Sequence, residues 1–247
     1  MSDIRVDFLG SGDAFFADGR HQAGYLVTTS ETSVLLDCGA TVLASLKRGN
    51  IDPGTINAVF ISHLHGDHFA GLPFLLLEYM FEAPRQRPLS IAGPPGTEER
   101  VTALFAAMYR DLSKKPMPFR IEFAELLPER PLQTEGLIIN PFYVPHLQTG
   151  IALGFEVRIG RKRILYSGDT GWTEELIRHS GGTDLFICEC CFFETRTSYH
   201  LDYPCLWENH QRFGTSRLVL THLGKEVLAR KHDVELELAK DGMIVQI

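Results

Sequence analysis

The chain has 247 residues, 44% of them hydrophobic and 22% charged, with 22 Gly and 13 Pro; this ordinary globular mixture excludes disordered, collagen-like and coiled-coil classes. Lys and Arg number 24 against 31 Asp and Glu, a formal charge of −7, which argues against a surface that coats nucleic acid. No stretch approaches the roughly 20 apolar residues that spanning a bilayer requires, and the run Phe74 to Leu77 is soon broken by Glu78 and Glu82.

In chain order, β-type runs are expected at Ile4 to Leu9, Gly24 to Thr28 and Ser33 to Asp37, then at Ala58 to Ser62, Leu89 to Ala92 and Phe119 to Ala124. Further runs fall at Leu137 to Val144, Ile151 to Ile159, Ile164 to Ser167, Leu185 to Cys190, Arg217 to Thr221 and Ile244 to Ile247. Helices are expected at Thr41 to Arg48, Gly71 to Phe81, Thr97 to Leu112, Thr173 to His179 and Tyr203 to Phe213. Thr97, before Glu98 and Glu99, suits a helix N-cap. No repeat, low-complexity tract or linker interrupts the pattern, so one domain over residues 1–247 is expected. Hairpins mixed with strand-helix alternations fit two sheets packed together and covered by helices.

The start, Met1-Ser2-Asp3-Ile4-Arg5, lacks the basic and apolar regions of an export signal, and a cytoplasmic location is expected. Five Cys occur, four of them late (Cys188, Cys190, Cys191 and Cys205); without export they read as reduced thiols. Cys188 and Cys190 alternate on one face of an expected buried strand, a packing role, while Cys38 follows Asp37 near the polar cluster described next. His21 is a candidate for lining a cleft, whereas His179, His210 and His232 sit where solvation is expected. The stripe Phe74 to Phe81 reads as core or a subunit face.

Several apolar runs end in His or Asp, as if strand ends converged on one rim. The densest signal is His63-Leu64-His65-Gly66-Asp67-His68, three imidazoles and a carboxylate in six positions after a β-type run. Imidazole nitrogen and carboxylate oxygen suit Zn²⁺, with Mn²⁺ or Fe as other occupants. Gly66 is expected to let the loop turn its ligands inward.

These residues match the HxHxDH signature in full, and the sequence resembles the metallo-β-lactamase superfamily. The likeness extends to Asp37, His146 in Val144-Pro145-His146, Asp169 in Tyr166-Ser167-Gly168-Asp169-Thr170 and His222 in Leu220-Thr221-His222. It implies an αββα sandwich of two mixed sheets flanked by helices. It further implies one divalent metal on His63, His65 and His146, a second on Asp67, His68 and His222, Asp169 bridging, and Asp37 steadying the histidine loop. Two cations about 3.5 to 4 Å apart would generate a hydroxide nucleophile, polarise an ester and neutralise transition-state charge.

Within that superfamily the wording is similar to the ribonuclease Z-like phosphodiesterases, through Phe8-Leu9-Gly10-Ser11-Gly12, His65-Gly66-Asp67-His68-Phe69-Ala70-Gly71-Leu72-Pro73 and Tyr166-Ser167-Gly168-Asp169-Thr170. Glu189 and His200 look like that group's Glu and His pair, a protonated His200 serving the phosphoryl charge or the leaving oxygen and Glu189 raising its pKa. The group's His-Ser-Thr is here His200-Leu201-Asp202, and its long RNA-gripping arm is replaced by a short pair of β-type runs between Gly150 and Leu165. Arg158, Arg161, Lys162 and Arg163, like Arg85 and Arg87, read as solvated faces. A metal-dependent hydrolase of a small phosphodiester, such as a cyclic nucleotide, is therefore favoured over processing of transfer RNA 3′ ends, with RNA a less favoured partner. Lactone or thioester hydrolysis on the same frame, and a non-catalytic metal-stabilised module, are the alternatives. The family resemblance also implies a homodimer.

Overall fold

Runs of β-branched and aromatic residues between turn formers build two sheets, and amphipathic segments cover them. The computed structural model describes residues 4–247; the first three residues, on which part of the export-signal reading rests, lie outside the described residues. The strands are β1 (Arg5–Gly10), β2 (Gly24–Thr28), β3 (Ser33–Leu36), β4 (Ile56–Phe60), β5 (Leu89–Gly93), β6 (Ile121–Glu125) and β7 (Leu132–Thr134). They continue with β8 (Leu137–Tyr143), β9 (Leu153–Ile159), β10 (Lys162–Tyr166), β11 (Leu185–Glu189), β12 (Leu218–Thr221), β13 (Glu237–Leu238) and β14 (Ile244–Gln246). The α-helices are α1 (Val42–Arg48), α2 (Gly66–Phe69), α3 (Leu72–Phe81), α4 (Thr97–Met108), α5 (Glu175–Ser180), α6 (Tyr203–Asn209) and α7 (Lys225–Ala229).

One sheet runs β14-β1-β2-β3-β4-β5-β6 and the other β13-β12-β11-β10-β9-β8-β7. In the first, β14, β1, β2 and β3 pair antiparallel and β3 to β6 parallel. In the second, β7 to β10 pair antiparallel and β10 to β13 parallel. Both sheets are mixed, as expected, and every anticipated strand forms. The parallel strands β3 and β11 are buried along their whole length, because helices cover one face and the opposing sheet the other.

Alternation along the strands sorts the apolar residues into three layers. Phe8, Tyr25, Phe60, Phe155, Tyr166 and Ile187 lie between the sheets. Leu35, Val59 and Ile91 face α1, α3 and α4 through Leu46, Leu75 and Phe105. Leu165, Phe186 and Leu220 face Leu176, Leu206 and Val227 of α5, α6 and α7. The sequence of layers is helix, sheet, sheet, helix. Cys188 and Cys190 belong to the third layer and Cys38 to the second, and all five cysteines are free thiols.

Several local expectations need correction. Gly96, in the left-handed region at φ 88°, caps α4; Thr97 starts the helix and its Oγ1 donates to Pro94 O. The helix stops at Met108 rather than Leu112, and α6 gives way to a 3₁₀ turn at His210. The short elements α2, α7, β7 and β13 had no periodic signal. His179 is not solvated: it is 5% exposed, stacks on Phe142 at 4.0 Å and sets Nδ1 3.5 Å from Glu156. The stripe on α3 splits, with Leu75 and Leu76 buried and Phe81 57% exposed. Phe155 is fully buried between the sheets, so Phe155→Ala is expected to cost about 3–5 kcal/mol in urea-induced unfolding, from lost transfer energy plus the cavity left behind.

Candidate metal centre

Polar residues gather where strands of both sheets end on the same side. Asp37 follows β3, His63 follows β4 by three residues, and His65, Asp67 and His68 lie in and before α2. From the second sheet come His146 after β8, Asp169 after β10, Glu189 at the end of β11 and His222 after β12. All of the anticipated metal residues meet here, in two groups. His63, His65 and His146 place one ligand atom each within 4.8 Å of one another, and Asp67, His68, Asp169 and His222 do the same. Asp169 joins the groups, with Oδ2 3.8 Å from Nε2 of both His63 and His146 and 3.3 Å from Nε2 of His222, while Oδ1 is 3.3 Å from His68 Nε2.

The chemistry of these donors fits divalent cations. Among the described residues six buried side-chain polar atoms lack a hydrogen-bond partner, and four are in this cluster: His63 Nε2, His68 Nε2, Asp169 Oδ1 and His222 Nδ1. Leaving such groups unpaired costs roughly 1–3 kcal/mol each, so their concentration at one spot marks a place for a ligand. The nitrogens His65 Nδ1 and His146 Nε2 face each other at 3.0 Å. Burial, then repulsion from neighbouring imidazoles, pushes His63 and His65 down, towards the neutral form that binds metals. Against burial, which alone would lower them, Asp169 and Asp67 hold His68 and His222 above the ordinary value, a measure of the negative field that two cations would answer.

The opposite ring nitrogens are fixed by the fold, which orients the donors. His63 Nδ1 meets Ser62 Oγ at 3.1 Å, His68 Nδ1 donates to Asp37 Oδ2 at 2.7 Å, and His146 Nδ1 donates to the Tyr199 carbonyl at 2.8 Å. Asp37, fully buried, also accepts from Ser62 N, Ser62 Oγ and the Tyr166 phenol. It sits behind the histidines, as the resemblance implied, yet Tyr166 and Ser62 were read only as strand residues. Asp37 and His222 both lie in the left-handed region, at φ 58° and 53°, a conformation in which Asp and His are enriched among non-glycine residues.

Glycine matters at Gly168 rather than Gly66. Gly168 has φ 59° and an added Cβ would lie 2.6 Å from Leu153 O, whereas at Gly66 it would meet only Ala70 Cβ at 4.0 Å. Glu189 accepts from Thr170 N, from His200 Nδ1 at 2.9 Å and from Leu201 N at 3.3 Å. Opposing the effect of burial, the charge and hydrogen bond of Glu189 raise His200 to about 9. The His200 ring stacks 5.5 Å from His222 and lies 4.9 Å from His146. The departure from His-Ser-Thr has a structural use: Leu201 is core, and Asp202 caps α6 by accepting from Cys205 N.

The cluster opens into a cleft of about 670 Å³ lined by Asp13, Phe15, Cys191, Phe192, Tyr199, Lys225 and Glu226. None of these was foreseen as part of the site. His21, expected there, lines a separate hollow of about 260 Å³ and meets Ser45 Oγ at 2.5 Å. The basic turn is solvated as expected, with Arg158 and Arg163 paired to Glu156 and Lys162 to Asp184 at the surface, whereas Arg85 is buried and donates to the carbonyls of Ile56, Arg87 and Pro88.

This fold and this pair of His/Asp clusters define a metallo-β-lactamase-fold protein with the donor set of a binuclear metal site. The chain belongs to the family described as Anti-Pycsar protein Apyc1, which matches residues 4–245. It is also related to ribonuclease Z: the enzyme of Mycobacterium sp. (strain KMS) is 30% identical over 244 residues, covering 89% of this chain and 84% of that one. The metallo-β-lactamase fold protein YhfI from Bacillus subtilis superposes with a TM-score of 0.80 at 23% identity over 100% of both chains. Human tRNase Z, short form, gives 0.78 at 25% identity over 98% of each. Among the described residues no helix is long and apolar enough to cross a membrane.

Asp37→Ala is expected to weaken metal affinity about 10- to 100-fold, read as metal content after dialysis against a graded chelator. The cleft wall itself is acid-sensitive. Glu226 accepts from Thr195 Oγ1 and from the backbone N–H groups of Glu194, Thr195 and Phe193, which hold its carboxyl at about 2 against an ordinary 4.5. A depressed folded value contributes stability above pH 4.5 that is lost as pH falls towards 2; in Glu226→Gln that segment of the acid-unfolding curve is expected to flatten.

Proposed function

We propose that this protein is a two-metal phosphodiesterase acting on a small phosphodiester that carries a single negative charge, a cyclic nucleotide being the best fit. The observation that carries the reading is a split His/Asp donor cluster at the base of a cleft in which Lys225 is the sole lysine or arginine. Gripping a polyanion needs several cations to neutralise phosphates, and Arg85, Arg158 and Arg163 are engaged in ion pairs or backbone contacts away from the cleft lining. The Apyc1 family, one of cyclic-nucleotide phosphodiesterases, supports the same choice over transfer RNA processing.

In this reading His63, His65 and His146 hold one cation, Asp67, His68 and His222 hold the other, and Asp169 serves both. The chemistry that divalent ions would supply there, Zn²⁺ suiting the nitrogen-rich donor set, is a lowered pKa of water and screening of charge on the phosphoryl group. The chain's own contribution is orientation and a proton. Glu189 fixes His200 through Nδ1 and favours its protonated form, leaving Nε2–H as a donor on the cleft side. That group serves a phosphoryl oxygen or the departing alkoxide. A cationic imidazole suits the charge of a phosphodiester better than a neutral lactone or thioester. The four orphaned donors beside an open cleft favour catalysis over a purely structural metal site.

Chelation is expected to abolish turnover of bis(p-nitrophenyl) phosphate and of a cyclic nucleotide, with Zn²⁺ or Mn²⁺ restoring it; a fully metal-stripped protein that stays active sinks the proposal. His200→Ala is expected to slow turnover by about 10² to 10⁴ with metals retained. Because His200 is charged below about 9, activity falls as pH rises through its pKa. Glu189→Gln, lacking the charge that holds that value up, is expected to move this alkaline limb to lower pH. A limb that stays in place removes the pair from the mechanism.

A further inference from the structure

Among the described residues Phe15 is the most exposed of the large hydrophobic side chains, 86% accessible, and it stands on the wall of the cleft that contains His65, Asp67, Asp169 and His222. A bare aromatic ring in water forgoes the favourable burial of its apolar surface, and a loop free to move would fold it away. This loop is held. Asp13, buried, accepts from Phe15 N and Ala17 N at 3.1 Å each, Gln22 Nε2 donates to Ala14 O at 3.3 Å, and Gly12 bridges to Leu223 beside His222. Phe16 and Asp18 occupy the left-handed region at φ 57° and 54°, conformations kept only where the surroundings enforce them. The other two rings on the wall have partners already, since Phe192 and Tyr199 pack edge-on to His200 at 5.8 and 5.4 Å.

From this geometry we infer that Phe15 is the specificity-determining residue of the cleft, stacking on the planar heterocycle of a nucleotide whose phosphodiester lies at the His/Asp cluster. The inference rests on the phosphodiesterase reading and adds to it the recognition of the base. A cleft of about 670 Å³ is in the range of whole small-molecule sites and exceeds the needs of a phosphate group alone. Every nucleobase has a π-face, so a single ring recognises the class of substrate while tolerating different bases. Lys225, on the same wall, balances the ligand's negative charge.

The test compares metal-loaded wild type, Phe15→Ala and Phe15→Trp. Dissociation constants are measured by calorimetry for a nucleoside 5′-monophosphate and for ribose 5-phosphate, which lacks the base, beside turnover of a cyclic nucleotide. Wild type is expected to bind the nucleotide more tightly than the sugar phosphate. Phe15→Ala is expected to weaken nucleotide binding about 10- to 100-fold, to leave ribose 5-phosphate unchanged, and to raise KM with kcat retained; Phe15→Trp is expected to restore binding. Equal weakening for both ligands, no weakening, or a change of oligomeric state without a change in affinity overturns the assignment, the last placing the ring against a second copy of the chain. Turnover that persists with Phe15 indifferent defeats only the stacking role. Base-dependent binding without turnover defeats only the proposed reaction.

Discussion

A carboxylate sealed from water must find all its partners inside the protein, and Asp37 does so by joining the two halves of the fold. Its four donors come from Ser62, which supplies N–H and Oγ, from His68 and from Tyr166. Ser62 and His68 follow strand β4 of one sheet, while Tyr166 ends β10 of the other. If the sheets slid or rotated against each other, that carboxylate would lose partners in a medium that screens charge poorly. The same bonds set the ring of His68 and, through Ser62, that of His63. Sheet packing and donor geometry are therefore one constraint, met at a residue whose own backbone lies in the left-handed region.

Much of this was legible in the residues. Three imidazoles and a carboxylate within His63 to His68 have few other uses, and strand-like runs ending in Asp37, Asp169 and His222 placed further donors on one rim. Burial on both faces made Val34–Leu36, Ala58–Phe60 and Leu185–Cys188 apolar runs that are easy to read. β13, α2 and α7, with two, four and five residues, are short and none is a continuous apolar run, so no period marks them. Partners separated by long stretches of chain were equally hidden: the phenol of Tyr166 reaches Asp37 across 129 residues, and nothing local distinguishes it from an ordinary buried tyrosine.

The errors have physical causes. Gly66 was credited with a conformational role that belongs to Gly168, because closeness to the ligands in sequence says nothing about which backbone position is left-handed. His179 looked like a surface histidine on a short helix, yet stacking on Phe142 and the nearby Glu156 carboxylate make burial affordable. The basic turn around residue 160 is solvated, as read, but its charges are partly matched: Arg158 and Arg163 pair with Glu156 and Lys162 with Asp184. The cleft walls were invisible because Phe15 and Lys225 are brought together only by the chain's return.

The donors of the cluster span positions 63 to 222 and come from loops at the ends of both sheets. An unfolded chain cannot assemble such a constellation, so ions bound there would act as a clasp between the two leaves of the sandwich. Their affinity would add to conformational stability by mass action, and the half-life of the protein in a metal-poor compartment would then be tied to supply of the ion as well as to its apolar layers.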